Sequence, residues 1–101
     1  ADAVQDFDYS ISQKPNNLTA LYYRSISYRQ LGRLHNALDD LNQVLNHDPS
    51  LVPALFIRAD VLKSLNKIED AISDYEKILP EERNNARAKK ELIKIKRARR
   101  P

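Results

Sequence analysis

The stretch ALDDLNQVLNHDP, from Ala37 to Pro49, has a counterpart at the same distance on either side. Thirty-four residues earlier the chain reads AVQDFDYSISQKP from Ala3, and thirty-four later AISDYEKILP from Ala71. Laying each residue over the one 34 further on gives 67 pairs, of which eleven are identical, well above what composition alone delivers. Ala3/Ala37/Ala71, Asp6/Asp40/Asp74 and Arg24/Arg58 are among them, while Phe7/Leu41/Tyr75 and Tyr22/Phe56 keep their character. No other feature limits the fold so tightly. A period of roughly 20–50 residues marks a unit that cannot bury its apolar face alone and stacks on copies of itself.

Each period holds two helical patterns. Ala20, Leu21, Arg24, Tyr28 and Leu31 recur at i, i+3, i+4 spacing, and Gly32 follows as a stop. Leu34, Ala37, Leu38, Leu41, Val44 and Leu45 form a second stripe, ended by Asp48-Pro49, where proline resists helix continuation. The same pair returns at Ala54 to Leu65 and Ile68 to Leu79. The spacing predicts six helices, over 2–13, 17–31, 34–47, 51–65, 68–79 and 84–99. A single glycine among 101 residues argues against hairpin turns, so the class is all-α.

These residues resemble the tetratricopeptide repeat, a 34-residue helix–turn–helix unit with the pattern W-x2-L-G-x2-Y…A-x3-F…P. The full match is Leu21-x2-Arg24-Ser25-x2-Tyr28…Ala37-x3-Leu41…Pro49, and the next is Leu55-x2-Arg58-Ala59-x2-Leu62…Ala71-x3-Tyr75. The resemblance implies a right-handed superhelical array of antiparallel helix pairs. Residues 1–15 would be the second helix of a truncated unit, 18–51 and 52–83 two full units, and 84–101 a basic capping helix. A start within a helical pattern suggests a segment of a longer multi-repeat protein.

Small residues stand where helices should cross: Ser25 or Ala59 on the first helix, and Ala3, Ala37 or Ala71 on the second. A larger side chain there costs about 1–3 kcal/mol in overpacking. Arg24 and Arg58 replace an apolar position of the pattern, and Asp6, Asp40 and Asp74 recur beside them. The expected arrangement is a ladder in which each arginine pairs with the aspartate of its own or the preceding unit. Pro80 falls three residues ahead of the repeat's proline position, so the helix before the cap should end early.

Nothing in the chain calls for catalysis. There is no cysteine, and no Gly-rich phosphate loop, HExxH or nucleophile motif appears. His35 and His47 lie twelve residues apart on one helix, about 18 Å, too far to share a metal. Neither a catalytic residue, a cofactor nor a metal is expected. Function is expected instead from a surface. In the family the first helix of each unit lines the concave face, which here places Tyr22, Tyr23, Ile26, Arg29, Phe56, Ile57, Asp60 and Lys63 in a peptide groove. Arg87, Lys90, Glu91 and Lys94 would extend its wall. Tyr22, Tyr23, Phe56 and Ile57 suit the grip of an extended peptide or helix, with Arg29 and Lys63 at the border.

Relatives that hold the acidic C-terminal tail of heat-shock chaperones use a clamp of Lys and Asn residues with a final Lys and Arg. Here Tyr22 and Ile26 stand where the first Lys and Asn are wanted, and Tyr23 or Ile57 and Pro53 at the later positions. Binding of a chaperone tail is therefore not expected. The partner remains a protein or peptide of another kind.

The formal net charge of +3 conceals an asymmetry. Residues 1–82 carry 8 Lys/Arg against 13 Asp/Glu, and residues 83–101 carry 9 against 1. The last helix keeps Ala88, Leu92 and Ile95 on one stripe and Arg87, Lys90, Lys94 and Arg97 elsewhere, which suits a terminal cap. It also admits a tether to an acidic protein, an anionic membrane or nucleic acid. Nucleic acid has thin support, since no aromatic is interleaved with the basic run. A homodimer through the open side of the first helix, around Val4, Phe7 and Ile11, is a third expectation. No apolar run approaches the roughly 20 residues that span a bilayer, and the expected compartment is the cytoplasm, with the nucleus and organelles left open.

Overall fold

The computed structural model describes residues 2–14, 17–78 and 82–99, and their side chains apart from those of 2, 3 and 82–85. Within them lie α1 (Asp2–Gln13), α2 (Leu18–Gln30), α3 (Leu34–His47), α4 (Val52–Ser64), α5 (Ile68–Ile78) and α6 (Glu82–Ala98). The chain is all-α, as its periodicity requires. α2 and α4 are each one residue shorter at both ends than expected, and α6 begins two residues earlier. The stop at Pro80, and Ala3 as a small crossing residue, lie outside the described residues and side chains.

Local chemistry sets the helix ends. The Asn17 side chain accepts a hydrogen bond from the Ala20 amide at 3.1 Å, capping α2, and Pro53 occupies the first turn of α4, where its missing N–H costs nothing. α2 and α4 stop identically. The Arg33 amide reaches the Tyr28 carbonyl at 2.8 Å while Gly32 reaches Arg29 at 3.0 Å; Lys67 to Leu62 and Asn66 to Lys63 repeat both bonds. Gly32 (φ 77°) and Asn66 (φ 62°) take the left-handed conformation that this closure needs. Glycine and asparagine are the residues that tolerate it best.

Each helix packs on the next, and α2 also approaches α4. Among the described residues α1 does not approach α3, nor α3 approach α5. Helices that come closer together lie on the shorter arc, so α2 and α4 belong to the concave side and α1, α3 and α5 to the convex side. The core is a continuous seam through these layers. Ala37, Ala54, Ala59, Ala71 and Ala88 are completely buried, which lets backbones approach, and Leu21, Leu41, Leu55, Tyr75 and Ile78 fill the spaces between.

The ladder is present. Arg24 holds Asp40 through two bonds of 2.8 and 2.6 Å, and Arg58 holds Asp74 through two of 2.8 and 2.7 Å. Both aspartates are only 2% exposed, so each buried carboxylate meets the planar fork that satisfies it best. The partner in the preceding layer differs from the expectation. Arg24 reaches Asp8 of α1 at 2.7 Å, and Arg58 reaches Asn42 of α3 at 3.1 Å, one period later. Asp6 is exposed. Asp40 and Asp74 are served by arginines sixteen residues ahead of them, whereas Arg24 follows Asp6 and meets α1 a half-turn further along.

Candidate functional site

The concave wall is made by α2 and α4 and continued by α6, and its two ends differ in chemistry. At the N-terminal ends of α2 and α4, Leu18, Thr19, Tyr22, Tyr23, Leu51 and Pro53 line an open cleft of about 250 Å³ with mainly apolar walls. The Tyr22 and Tyr23 rings meet edge to face at 5.3 Å, and Tyr23 stacks on Phe7 of α1 at 6.1 Å. Tyr22 is half-buried, and burial, with Tyr23 beside it, raises its phenol pKa. Tyr23 is 49% exposed although it is a large aromatic in contact with a neighbour. An aromatic held in place by packing, with half of its surface open, is available to a partner at little entropic cost.

Toward the C-terminal ends of the same helices the wall becomes ionic. Asp60 of α4 accepts a hydrogen bond from the Tyr75 hydroxyl at 2.7 Å and pairs with Arg29 of α2 at 3.3 Å and Arg87 of α6 at 3.8 Å. Burial, then the bond to Asp60, pushes the Tyr75 phenol far above its ordinary range, so it acts as a donor. Glu91 of α6 pairs with Lys63 of α4 at 2.9 Å and Lys94 at 3.8 Å. The Lys63 hydrogen bond lowers the Glu91 pKa against the opposing effect of burial. Two carboxylates thus join four helices.

The expected groove residues divide between these ends. Tyr22 and Tyr23 line the cleft, while Arg29, Asp60 and Lys63 form the ionic network with Arg87 and Lys94. Ile26 and Ile57 are half-buried. Phe56 is only 6% exposed: it meets Tyr75 edge to face at 6.4 Å, and the Arg87 guanidinium lies over its ring at 4.4 Å. Its packing is therefore settled within the fold, and α6 is what covers it. Lys90 and Arg97 are exposed. Leu18, Leu51 and Tyr75 are contributors that periodicity did not reveal. Leu18 and Leu51 flank helix starts, where no spacing rule applies, and the Tyr75 hydroxyl emerges between layers from a residue whose ring reads as core.

Among the described residues no three His, Cys, Asp or Glu side chains converge as metal ligands. Among the same residues no helix is long and apolar enough to cross a membrane.

Two family profiles, both described as tetratricopeptide repeat, match residues 19–50 and 52–85. Among solved structures, the first TPR of Spaghetti (RPAP3) bound to the HSP90 peptide SRMEEVD is 29% identical, covering 94% of this chain and 75% of that one, with a TM-score of 0.85. A tetratricopeptide repeat protein from Parabacteroides merdae ATCC 43184 is 30% identical over 86% of this chain and 34% of its own, with a TM-score of 0.80. MamA, 17% identical over 94% of this chain and 56% of its own, has a TM-score of 0.85 and shares the fold. No curated protein matches the chain.

Proposed function

Because the chain belongs to the tetratricopeptide repeat family, whose fold serves protein–protein interaction, we propose that it is a non-catalytic module that holds a peptide or helix of a partner on its concave face. It acts as a scaffold or adaptor within a longer multi-repeat protein, and its setting is the cytoplasm. The observation that carries this reading is the open cleft at Leu18, Tyr22, Tyr23, Leu51 and Pro53, on the side where α2 and α4 approach. A preformed concave site with rigid aromatics is where a short segment gains most for the entropy it loses.

The RPAP3 neighbour binds an HSP90 peptide. That ligand is not proposed for this chain, because Tyr22 and Ile26 stand where the clamp's first Lys and Asn are wanted, and Tyr23 or Ile57 and Pro53 at its later positions. An aromatic ring, an aliphatic side chain and an imino acid supply no charged or amide donor there.

Selection from a displayed peptide library at physiological salt, followed by NMR mapping of the enriched sequences, tests the proposal. Binding at the concave face moves the amides of Leu18, Tyr22, Tyr23 and Leu51, and Tyr23→Ala weakens it while the fold persists. Ligands that instead map to the outer side of α6 would refute it. That outcome would favour the tether reading, for which Ile93, 50% exposed with Lys89, Lys90, Lys96 and Arg97 a turn away on either side, is the supporting observation. Tether binding should fade steeply with salt, whereas an apolar cleft should not. Self-association through α1 predicts a concentration-dependent mass by sedimentation; of the side expected to be open, Val4 is buried and Phe7 and Ile11 are half-buried, while Tyr9 is 68% exposed.

A further inference from the structure

The ionic end of the concave wall is layered. Asp60 and Glu91 lie deep, with side chains 18% and 19% exposed, while the cations around them stand outward: Arg29 at 44%, Arg87 at 63%, Lys63 at 39% and Lys94 at 63%. Four cations enclose two carboxylates, so the face turned to solvent carries two uncompensated positive charges. The buried acids also hold the cations in place, and each guanidinium keeps donors that the Asp60 contact does not use. A ligand carboxylate arriving here meets groups already oriented, which reduces the ordering cost of binding.

Distance along the helices then acts as a ruler. Tyr22 to Arg29 is seven residues of α2, and Pro53 to Asp60 seven residues of α4, each about 10 Å at 1.5 Å per residue. Pro53 to Lys63 is about 15 Å on the same basis. An extended segment covers these spans in about three to five residues.

Resting on the concave-face reading above, we infer that the partner segment is acidic: it seats an aromatic or aliphatic side chain in the cleft at Tyr22, Tyr23 and Pro53, and places carboxylates three to five residues away on the Arg29–Arg87–Lys94 cations. An internal segment suffices, because side-chain carboxylates supply the charge that these cations take up. Nucleic acid fits less well. The aromatic within the cation cluster, Phe56, is buried under Arg87 and offers no stacking face, and residues 1–82 are acidic in balance.

The probe is the capped peptide acetyl-Phe-Ser-Gly-Ser-Glu-Glu-Glu-Glu-amide and its reversed order, titrated calorimetrically and by NMR at about 150 mM salt, where exposed charges more than about 8 Å apart are screened. The better order should bind in the micromolar range. Replacing the four glutamates by glutamine, or the protein's Arg29→Gln/Lys94→Gln, should each weaken it about tenfold. Alanine in place of the peptide's Phe, or Tyr23→Ala, should weaken it to a similar degree. Arg29 and Lys94 are 44% and 63% exposed, so these variants should keep the fold; Lys63→Gln/Arg87→Gln, checked by circular dichroism, gives an independent second pair from the same cluster.

A glutamine peptide that binds as well overturns the acidic ligand and leaves the concave groove standing. Tight binding unaffected by Tyr23→Ala and by Arg29→Gln/Lys94→Gln, with shifts confined to Lys89, Ile93 and Arg97, overturns both. Absence of heat and shifts in either order at millimolar peptide overturns this inference alone, the library selection then deciding the groove. Tighter binding of a single-stranded oligonucleotide at the same cations also overturns it.

Discussion

Two sets of arginine–carboxylate contacts in the molecule are built from the same residue types and used differently. In the ladder, Arg24 and Arg58 each grip a buried aspartate through two short bonds, and the repeat carries the pair forward by 34 residues. On the concave wall, Arg29 and Arg87 approach Asp60 singly, at 3.3 and 3.8 Å, and their side chains stay 44% and 63% exposed. The first set is periodic because every layer needs it. The second falls once, at the junction of α2, α4 and α6, and its cations have capacity left over. Burial and bidentate geometry make a fastening, while exposure and partial pairing leave a surface free to exchange partners.

Breaking the ladder should produce the largest effect. Asp74→Ala leaves the Arg58 guanidinium without its partner in a mostly buried position and should cost about 3 kcal/mol, read as a lower urea midpoint with an unchanged slope. The double variant Arg58→Met/Asp74→Leu should recover most of that loss, since an apolar pair of similar volume avoids the desolvation of both charges. If the single and double variants are equally unstable, the rung contributes more than charge satisfaction. Tyr75→Phe comes next. It removes one hydrogen bond from Asp60 but keeps the ring in the core, and should cost about 1 kcal/mol in thermal or chemical unfolding.

Acid sharpens the comparison at the α6 junction. Folding lowers the Glu91 pKa, chiefly through Lys63, so its contribution is complete above the ordinary carboxylate value of about 4.3 and disappears as pH falls through the folded value. Relative to the intrinsic exchange rate at each pH, the protection of α6 amides should therefore fall on acidification below about pH 4. Glu91→Gln should remove this component of the pH dependence. The smallest effect belongs to Arg29→Gln, which should change stability by no more than about 0.5 kcal/mol, because its contact is long and solvated. A larger loss would show the concave network to be a fastening after all.

Much of this architecture can be read along the chain. Gly32 announces the end of α2, and Asn66 one period later closes α4 with the same pair of bonds, a substitution that keeps the left-handed conformation available. The alanines at 37, 59 and 71 mark helix crossings because only small side chains allow that approach. Register also announces that Arg24 and Arg58 belong with the recurring aspartates, but not that Asp40 and Asp74 of their own units take them, nor that Asp8 rather than Asp6 completes the first rung. A period counts positions, whereas the second contact depends on which way an arginine turns between two neighbouring helices. The candidate groove was legible in outline from α2 and α4. Phe56 differs from Tyr22, its partner one period earlier, because α6 places Arg87 over it. Among the described residues no guanidinium lies over Tyr22.

By itself the sequence determined a repeating pair of helices, their stops, their crossing points and the charge asymmetry of the last one. These follow from local rules: backbone conformations open to glycine and asparagine, the width of an alanine, and the spacing that gathers apolar residues on one helix face. Only the tertiary structure decided which concave residues are open, and that the wall runs from an apolar cleft to a cation cluster laid over Asp60 and Glu91. Exposure and ion pairing there depend on how α2, α4 and α6 lie against one another. That geometry is the sum of packing across three layers, and no single unit of the repeat contains it.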